Sequence, residues 1–164
     1  MQRTETELGQ LWRAMTAADL PAVLALSALV HPGLPEDEAV FAERQRLYPA
    51  GCLALAGGSG LLGYALSHPW AGPSPRLNSL LGALPPLPRC YYLHDLALLP
   101  AVRGQGAGQA ALRLLLAQAG ALPCRLIAVG GSAPFWRRQG FAAVPGDAAM
   151  LASYGPGAVY MQRG

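Results

Sequence analysis

The 164-residue chain contains no lysine, so all twelve of its basic residues are arginines, as when a GC-rich gene spells its basic positions. They are scattered along the chain, whereas a nucleic-acid footprint needs them gathered on one face. Charge is scarce in general: 13% of residues are charged and 52% hydrophobic, which excludes a disordered chain. Cysteine is limited to Cys52, Cys90 and Cys124, an odd number at wide spacing without a CxxC pair. That excludes a disulfide framework or a cysteine zinc site and points to a reducing compartment. No apolar stretch reaches the ~18 residues of a membrane span. The N-terminus lacks a basic segment leading into an apolar one, so no secretory signal is expected and the expected location is cytoplasmic.

What is present is enough leucine, alanine and glycine for one substantial core, most simply a single domain over residues 1–164. Leu11 to Met15 reads as a first strand. Thr16 then caps a helix to about Val30, with Asp19 placed for a capping box. The turn His31-Pro32-Gly33-Leu34-Pro35 separates it from a second helix, acidic at its start (Glu36, Asp37, Glu38) and basic near its end (Arg44, Arg46), which suits the helix dipole. Cys52–Ala56 and Leu61–Ser67, split by Gly57-Gly58-Ser59-Gly60, read as a β-hairpin. Ile127 is the sole isoleucine, so propensity alone would assign helix here; short length and flanking glycines favour strand. Residues 71–89, with five prolines, form a long connection of the kind that is usually functional or mobile. Further elements are a strand Tyr91–Leu99, a helix Gly106–Ala119, a strand Arg125–Val129, a short helix Ala133–Gln139 and two antiparallel strands in the tail, the last near Val159–Gln162. The fold class is α/β, one mixed sheet with helices on its faces.

The most informative stretch is Arg103-Gly104-Gln105-Gly106-Ala107-Gly108, between an apolar strand closed by Pro100 and a helix. Strand, glycine turn and helix in that order make a cradle of backbone N–H groups suited to a phosphate or pyrophosphate. A dinucleotide site would also need an acidic residue at the end of the next strand, and Arg125–Val129 has none.

These residues resemble the GNAT superfamily of acyl-CoA-dependent N-acyltransferases. Its signature (Arg/Gln)-x-x-Gly-x-(Gly/Ala) is met by Arg103, Gly106 and Gly108, after the approach Leu98-Leu99-Pro100-Ala101-Val102. A second family motif, an aromatic pair followed by three residues and Gly-Phe, appears as Phe135-Trp136-Arg137-Arg138-Gln139-Gly140-Phe141. The resemblance implies a single-domain GNAT fold, a mixed sheet of about six to seven strands with about four helices. It implies that Arg103, Gly104, Gln105, Gly106, Ala107 and Gly108 hold the pyrophosphate of acetyl-CoA, the acyl donor, and that the backbone of Leu96, Ala97 and Leu98 takes the pantetheine arm. The N–H near Leu98 would polarise the thioester carbonyl, while Phe135 and Trp136 would line the far side of the groove.

Catalysis of N-acetylation needs a neutral amine, and many relatives carry an acidic base on the strand before the cradle. That place is taken here by His94, with Asp95 beside it. Histidine titrates near neutrality and can serve as a base. Adjacent strand residues point to opposite faces, so only one of the two is expected to face the acceptor. Trp136 stands where relatives often have the tyrosine credited with protonating departing CoA, which leaves Tyr154 as a spare hydroxyl for that task. Glu36, Glu38, Glu43 and Tyr48 border the acceptor side in this family, although a solvated helix face is an ordinary alternative. His68 and Trp70 suit a rim or a dimer contact. The implied activity is transfer of an acetyl group to a primary amine of a small molecule, peptide or protein, with no metal and a possible homodimer; the alternative is a non-catalytic acyl-CoA-binding module.

Overall fold

Glycine decides where this leucine- and alanine-rich chain turns. Gly57 pairs with Gly60 across a two-residue loop, and Gly60 adopts φ 140°, closing an antiparallel hairpin of β2 (Cys52–Gly57) and β3 (Gly60–Trp70). The computed structural model describes Thr4, Glu7 and residues 11–164. The N-terminal stretch on which the secretory-signal expectation rests lies largely outside the described residues. Around the hairpin stand β1 (Trp12–Ala14), β4 (Cys90–Leu98), β5 (Cys124–Ala128), β6 (Ala142–Ala143) and β7 (Val159–Arg163). Among the described residues they form one seven-stranded sheet in the order β1-β2-β3-β4-β5-β7-β6, parallel only between β4 and β5.

Helices cover both faces. α1 (Leu20–Val30) and α2 (Glu38–Leu47) enclose one core with Cys52, Ala54, Tyr64, Leu66 and Ala97. On the other face lies α3 (Ala107–Ala119), whose Ala107, Ala110, Ala111, Leu115 and Ala119 recur at helical spacing and let the helix sit close against the sheet. α4 (Ala133–Arg138) adds Trp136 to that core, with Phe141 just beyond it. Asp19 does reach back to the Thr16 N–H at 2.9 Å, but residues 17–19 form a 3₁₀ turn before α1 begins. The tail holds more than two strands: α5 (Ala148–Ala152) separates them, started by the Asp147 carboxylate accepting the Ala149 N–H at 2.8 Å. Among the described residues no helix is long and apolar enough to cross a membrane.

Two irregularities of β4 shape the site. Leu66 of β3 faces Asp95 and Ser67 faces Leu93, so His94 is an extra residue, a β-bulge. β4 also pairs with β5 only from Tyr91 to Leu93, against Cys124 to Leu126, and then diverges, leaving a fork.

The 71–89 connection is irregular, as expected, yet it is pinned. Glu43 accepts the N–H groups of Leu81 (2.6 Å) and Gly82 (3.0 Å), and Arg44, with its side chain fully buried, donates to Ser79 O at 3.1 Å. Glu36 accepts the Asn78 N–H at 3.0 Å, while Ser153 Oγ accepts the Leu77 N–H at 3.3 Å. The segment is a strap clasped between α2 and the end of α5.

Close packing around the turn before β2 gives a direct test. A Cβ at Gly51 would lie 2.2 Å from Ser67 O and 2.8 Å from the Tyr48 ring. Gly51→Ala is therefore expected to destabilise the fold by about 1–3 kcal/mol, read by chemical denaturation; an unchanged midpoint would contradict this packing.

Candidate active site

Local backbone geometry builds the cradle. Gly104 (φ 73°) and Gly106 (φ 89°) occupy the left-handed region, and Gly106 is the N-cap residue just before α3. Gly108 lies against Phe135, whose ring would stand 3.1 Å from a Cβ placed there. Arg103, Gly104, Gly106, Gly108 and Gln109 line a cavity of about 490 Å³ that also reaches Phe135 and Trp136. Gln105 and Ala107 do not line it. The Gln105 amide turns back to Ala101 O at 2.8 Å, and Ala107 sits in the α3 core with its carbonyl accepting the Trp12 indole N–H at 3.1 Å. Their side chains serve the loop and the core.

The fork forms the middle of the cavity, lined by Leu96 and Leu98 from β4 and by Leu126, Ile127 and Val129 at the β5 end. Leu99 N donates to Leu62 O at 2.8 Å. Antiparallel strands alternate their bonding direction, so the N–H groups of Leu96 and Leu98 turn away from β3, toward the fork. Ala97 does the opposite: its backbone faces β3 opposite Tyr64 and its side chain is buried in the α1 core, which removes it from the cofactor-facing set expected from sequence.

Beyond the fork the wall becomes polar. The alternation expected for His94 and Asp95 fails because the bulge places both side chains on the α1–α2 side. His94 Nε2 donates to Glu36 Oε1 at 2.9 Å, and His31 Nε2 donates to Asp95 Oδ1 at 2.9 Å. The second Asp95 oxygen accepts the Tyr64 hydroxyl. Two histidine–carboxylate pairs thus stand side by side at one cavity. Burial drives the Asp95 pKa up, but the hydrogen bond and charge of His31, with help from His94 and Tyr64, prevail and hold it low. Glu36 follows the same pattern: burial opposes ionisation, and the charge and hydrogen bond of His94 with the Asn78 N–H outweigh it, so its pKa is lowered.

His31 and Tyr64 are the residues that sequence reasoning missed. One lies in a Pro-rich turn and the other on a neighbouring strand, and no motif joins either to Asp95. Glu36, expected on the acceptor side, lines the cavity; Glu38 is exposed and Glu43 is spent on the strap. Tyr48 lies off the cavity, where its hydroxyl donates to Gln118 at 3.3 Å. His68 is 1% exposed, which rules out a rim or dimer contact for it; burial pushes its pKa down to about 3, and Nδ1 donates to Pro69 O at 2.9 Å. Trp70 is tied to the start of the strap through its indole N–H and Pro73 O at 2.8 Å.

Tyr154 reaches the cavity, but its hydroxyl is not spare: it donates to Pro75 O at 3.0 Å, holding the strap. Burial pushes that hydroxyl up to about 12, which makes it a poor acid. Trp136 packs edge-on to Phe135 (4.9 Å between centroids) and Phe141 (5.4 Å), as part of the cavity wall. Among the described residues no group of three or more His, Cys, Asp or Glu is placed to hold a metal ion.

The model of the Acetyltransferase (GNAT) family matches residues 20–141, and the chain belongs to that family. No curated protein sequence matches the chain. Among solved structures it is similar to the loading GNATL domain of CurA from Lyngbya majuscula, at 16% identity and TM-score 0.75, covering 93% of this chain and 96% of that one. It is similar to the GphF GNAT-like decarboxylase in complex with isobutyryl-CoA, at 23% identity and TM-score 0.67, covering 93% and 97%. Arabidopsis thaliana Naa50, in complex with the bisubstrate analogue CoA-Ac-MVNAL, shares 13% identity at TM-score 0.68, covering 92% and 95%. At these identities the likeness concerns the fold.

The strap contact is testable. Tyr154→Phe leaves the Pro75 carbonyl without its buried donor, and a loss of about 1–3 kcal/mol in urea unfolding is expected. Wild-type stability would show that the hydroxyl is not needed to hold the strap.

Proposed function

We propose that the protein is an N-acetyltransferase that moves an acetyl group from acetyl-CoA to a primary amine of a small molecule, peptide or protein, by direct attack in a ternary complex. The observation that carries this reading is a single cavity with the glycine cradle and fork at one end and two histidine–carboxylate pairs at the other. The residues fit acyl-CoA: left-handed Gly104 and Gly106 with the Cβ-free Gly108 leave the backbone open to a pyrophosphate, and α3 presents its positive end. Bound there, acyl-CoA supplies an activated thioester carbonyl. The N–H groups of Leu96 and Leu98 face that place and can polarise it, and alignment of the two reactants supplies much of the rate.

His94 forms part of the wall that the acceptor would meet. Its Nε2 proton is committed to Glu36, so in the neutral ring Nδ1 carries a lone pair. That nitrogen is buried without a hydrogen-bond partner among the described residues, an unmet acceptor within the polar wall. Asp95 stands in the same wall, paired with His31. With the tyrosine of many relatives replaced by Trp136 and the Tyr154 hydroxyl engaged, CoA departs as thiolate, a tolerable leaving group.

A second reading has one observation in its favour: a similar structure is the GphF GNAT-like decarboxylase. Histidines beside the fork can also deliver a proton to the carbanion left when a β-carboxylate departs as CO₂.

Thiol release from acetyl-CoA across a panel of primary amines separates these readings. Amine-dependent release with acetylated product is the expected result. CoA binding without turnover on any amine would favour a non-catalytic binding module, and conversion of malonyl-CoA to acetyl-CoA without amine would favour the second reading. Gly106→Val tests the donor site: CoA affinity measured by calorimetry is expected to fall at least roughly tenfold. The forced left-handed valine should cost only about 1–2 kcal/mol of stability. Undiminished affinity would remove the cradle from the donor site.

A further inference from the structure

We propose that His31, in the connection between α1 and α2, takes the proton from the attacking amine, and that Asp95 and Tyr64 are the positioning residues that prepare it. The proposal rests on the acyltransferase reading above. His31 follows the last residue of α1, where its N–H still bonds Ser27 O at 2.8 Å, so the residue is fixed to the helix end. Its ring lines the same cavity as Leu98, Gly106 and His94.

The hydrogen-bond chain fixes the ring's chemistry. The Tyr64 hydroxyl donates to one Asp95 oxygen, and the other accepts His31 Nε2–H at 2.9 Å. Burial raises the Tyr64 pKa well above normal, so its proton stays in place. Asp95 is held ionised, as described above. A carboxylate bonded to Nε2 fixes the proton there and leaves the lone pair on Nδ1. The same carboxylate stabilises the imidazolium formed when Nδ1 takes a proton. His94 has a comparable carboxylate partner, but its side chain is 1% exposed, against 20% for His31. A group that must pass protons on to water needs the greater access.

The charged groups facing His31 come from three directions: Asp95 on β4, Glu36 in its own connection and Arg103 in the cradle. Burial lowers the His31 pKa and Arg103 adds to that, but the bond and charge of Asp95, with Glu36, outweigh both and raise it. A raised imidazole pKa is nearer that of an alkylammonium and favours proton transfer. In the step, the amine nitrogen forms its bond to the thioester carbonyl carbon while an N–H proton passes to His31 Nδ1. The C–S bond then breaks, the electron pair leaves on sulfur, and the imidazolium returns its proton to the thiolate directly or through water. Products are the amide and CoA thiol, with His31 neutral again.

The test measures kcat at saturating amine from about pH 5.5 to 9.5, where a base titrating as imidazole gives a limb that rises with pH. His31→Gln is expected to lower kcat roughly 10²-fold and abolish that limb. Asp95→Asn is expected to retain the limb but move it to lower pH, because the ring loses the charge that raised its pKa. CoA affinity by calorimetry should be unchanged in both, which also reports folding. ¹⁵N NMR of the wild type should show His31 protonated at Nε2 and bare at Nδ1, a readout independent of turnover and of any variant. A wild-type limb in His31→Gln, an Nδ1–H tautomer, or an upward move in Asp95→Asn would overturn the role of His31 while leaving the acyltransferase reading intact. Failure of the wild type to turn over any amine would overturn both.

Discussion

The site depends on one extra residue in β4. Without the bulge at His94, strand alternation would place Asp95 on the α3 side, among apolar side chains. With it, His94 and Asp95 share a face and meet two partners from one short connection, Glu36 and His31. The shift also sets which N–H groups beyond the bulge face the fork. A local defect in the ladder therefore fixes both the polar wall and the direction of the backbone donors. β-Bulges are over-represented beside active sites for this kind of reason, since they re-aim side chains without ending the strand.

Electrostatics explain why such a wall can stay buried. An unpaired carboxylate away from water is costly, and each one here has its own imidazole plus a further donor, Tyr64 for Asp95 and the Asn78 N–H for Glu36. The two pairs also feel each other, as the charge of His94 helps hold Asp95 ionised and Asp95 opposes ionisation of Glu36. Removal of one partner would leave a buried charge uncompensated, so the wall behaves as a unit.

The strap ties this wall to the rest of the fold. Glu36 touches both His94 and the Asn78 backbone, so one carboxylate joins the polar wall to residues 71–89. Glu43 and Arg44 of α2 hold the strap from one side and Ser153 and Tyr154 from the other. A segment rich in proline thereby acquires a fixed course through polar contacts to its backbone, which its composition alone does not suggest.

Family, element order around the cradle and the glycine-lined end of the cavity were legible in the chain because they rest on local rules. Glycines allow left-handed turns at Gly104 and Gly106, helical spacing brings Ala107 to Ala119 onto the sheet, and the Phe135–Phe141 motif accompanies the cradle. A helix as short as α5 and the 3₁₀ turn at 17–19 are weaker signals, since a single capping aspartate and one turn carry little periodicity. The polar end was decided only by the tertiary structure. The bulge arises from register between β3 and β4, and pairing of Asp95 with His31 spans 64 residues, as that of His94 with Glu36 spans 58. The sequence by itself determined the backbone cradle, whose conformation depends on neighbouring residues. Contacts between distant segments determined which side chains pair in the polar wall and which hold the strap, because ionisation and hydrogen bonding depend on what packs nearby rather than on what precedes in the chain.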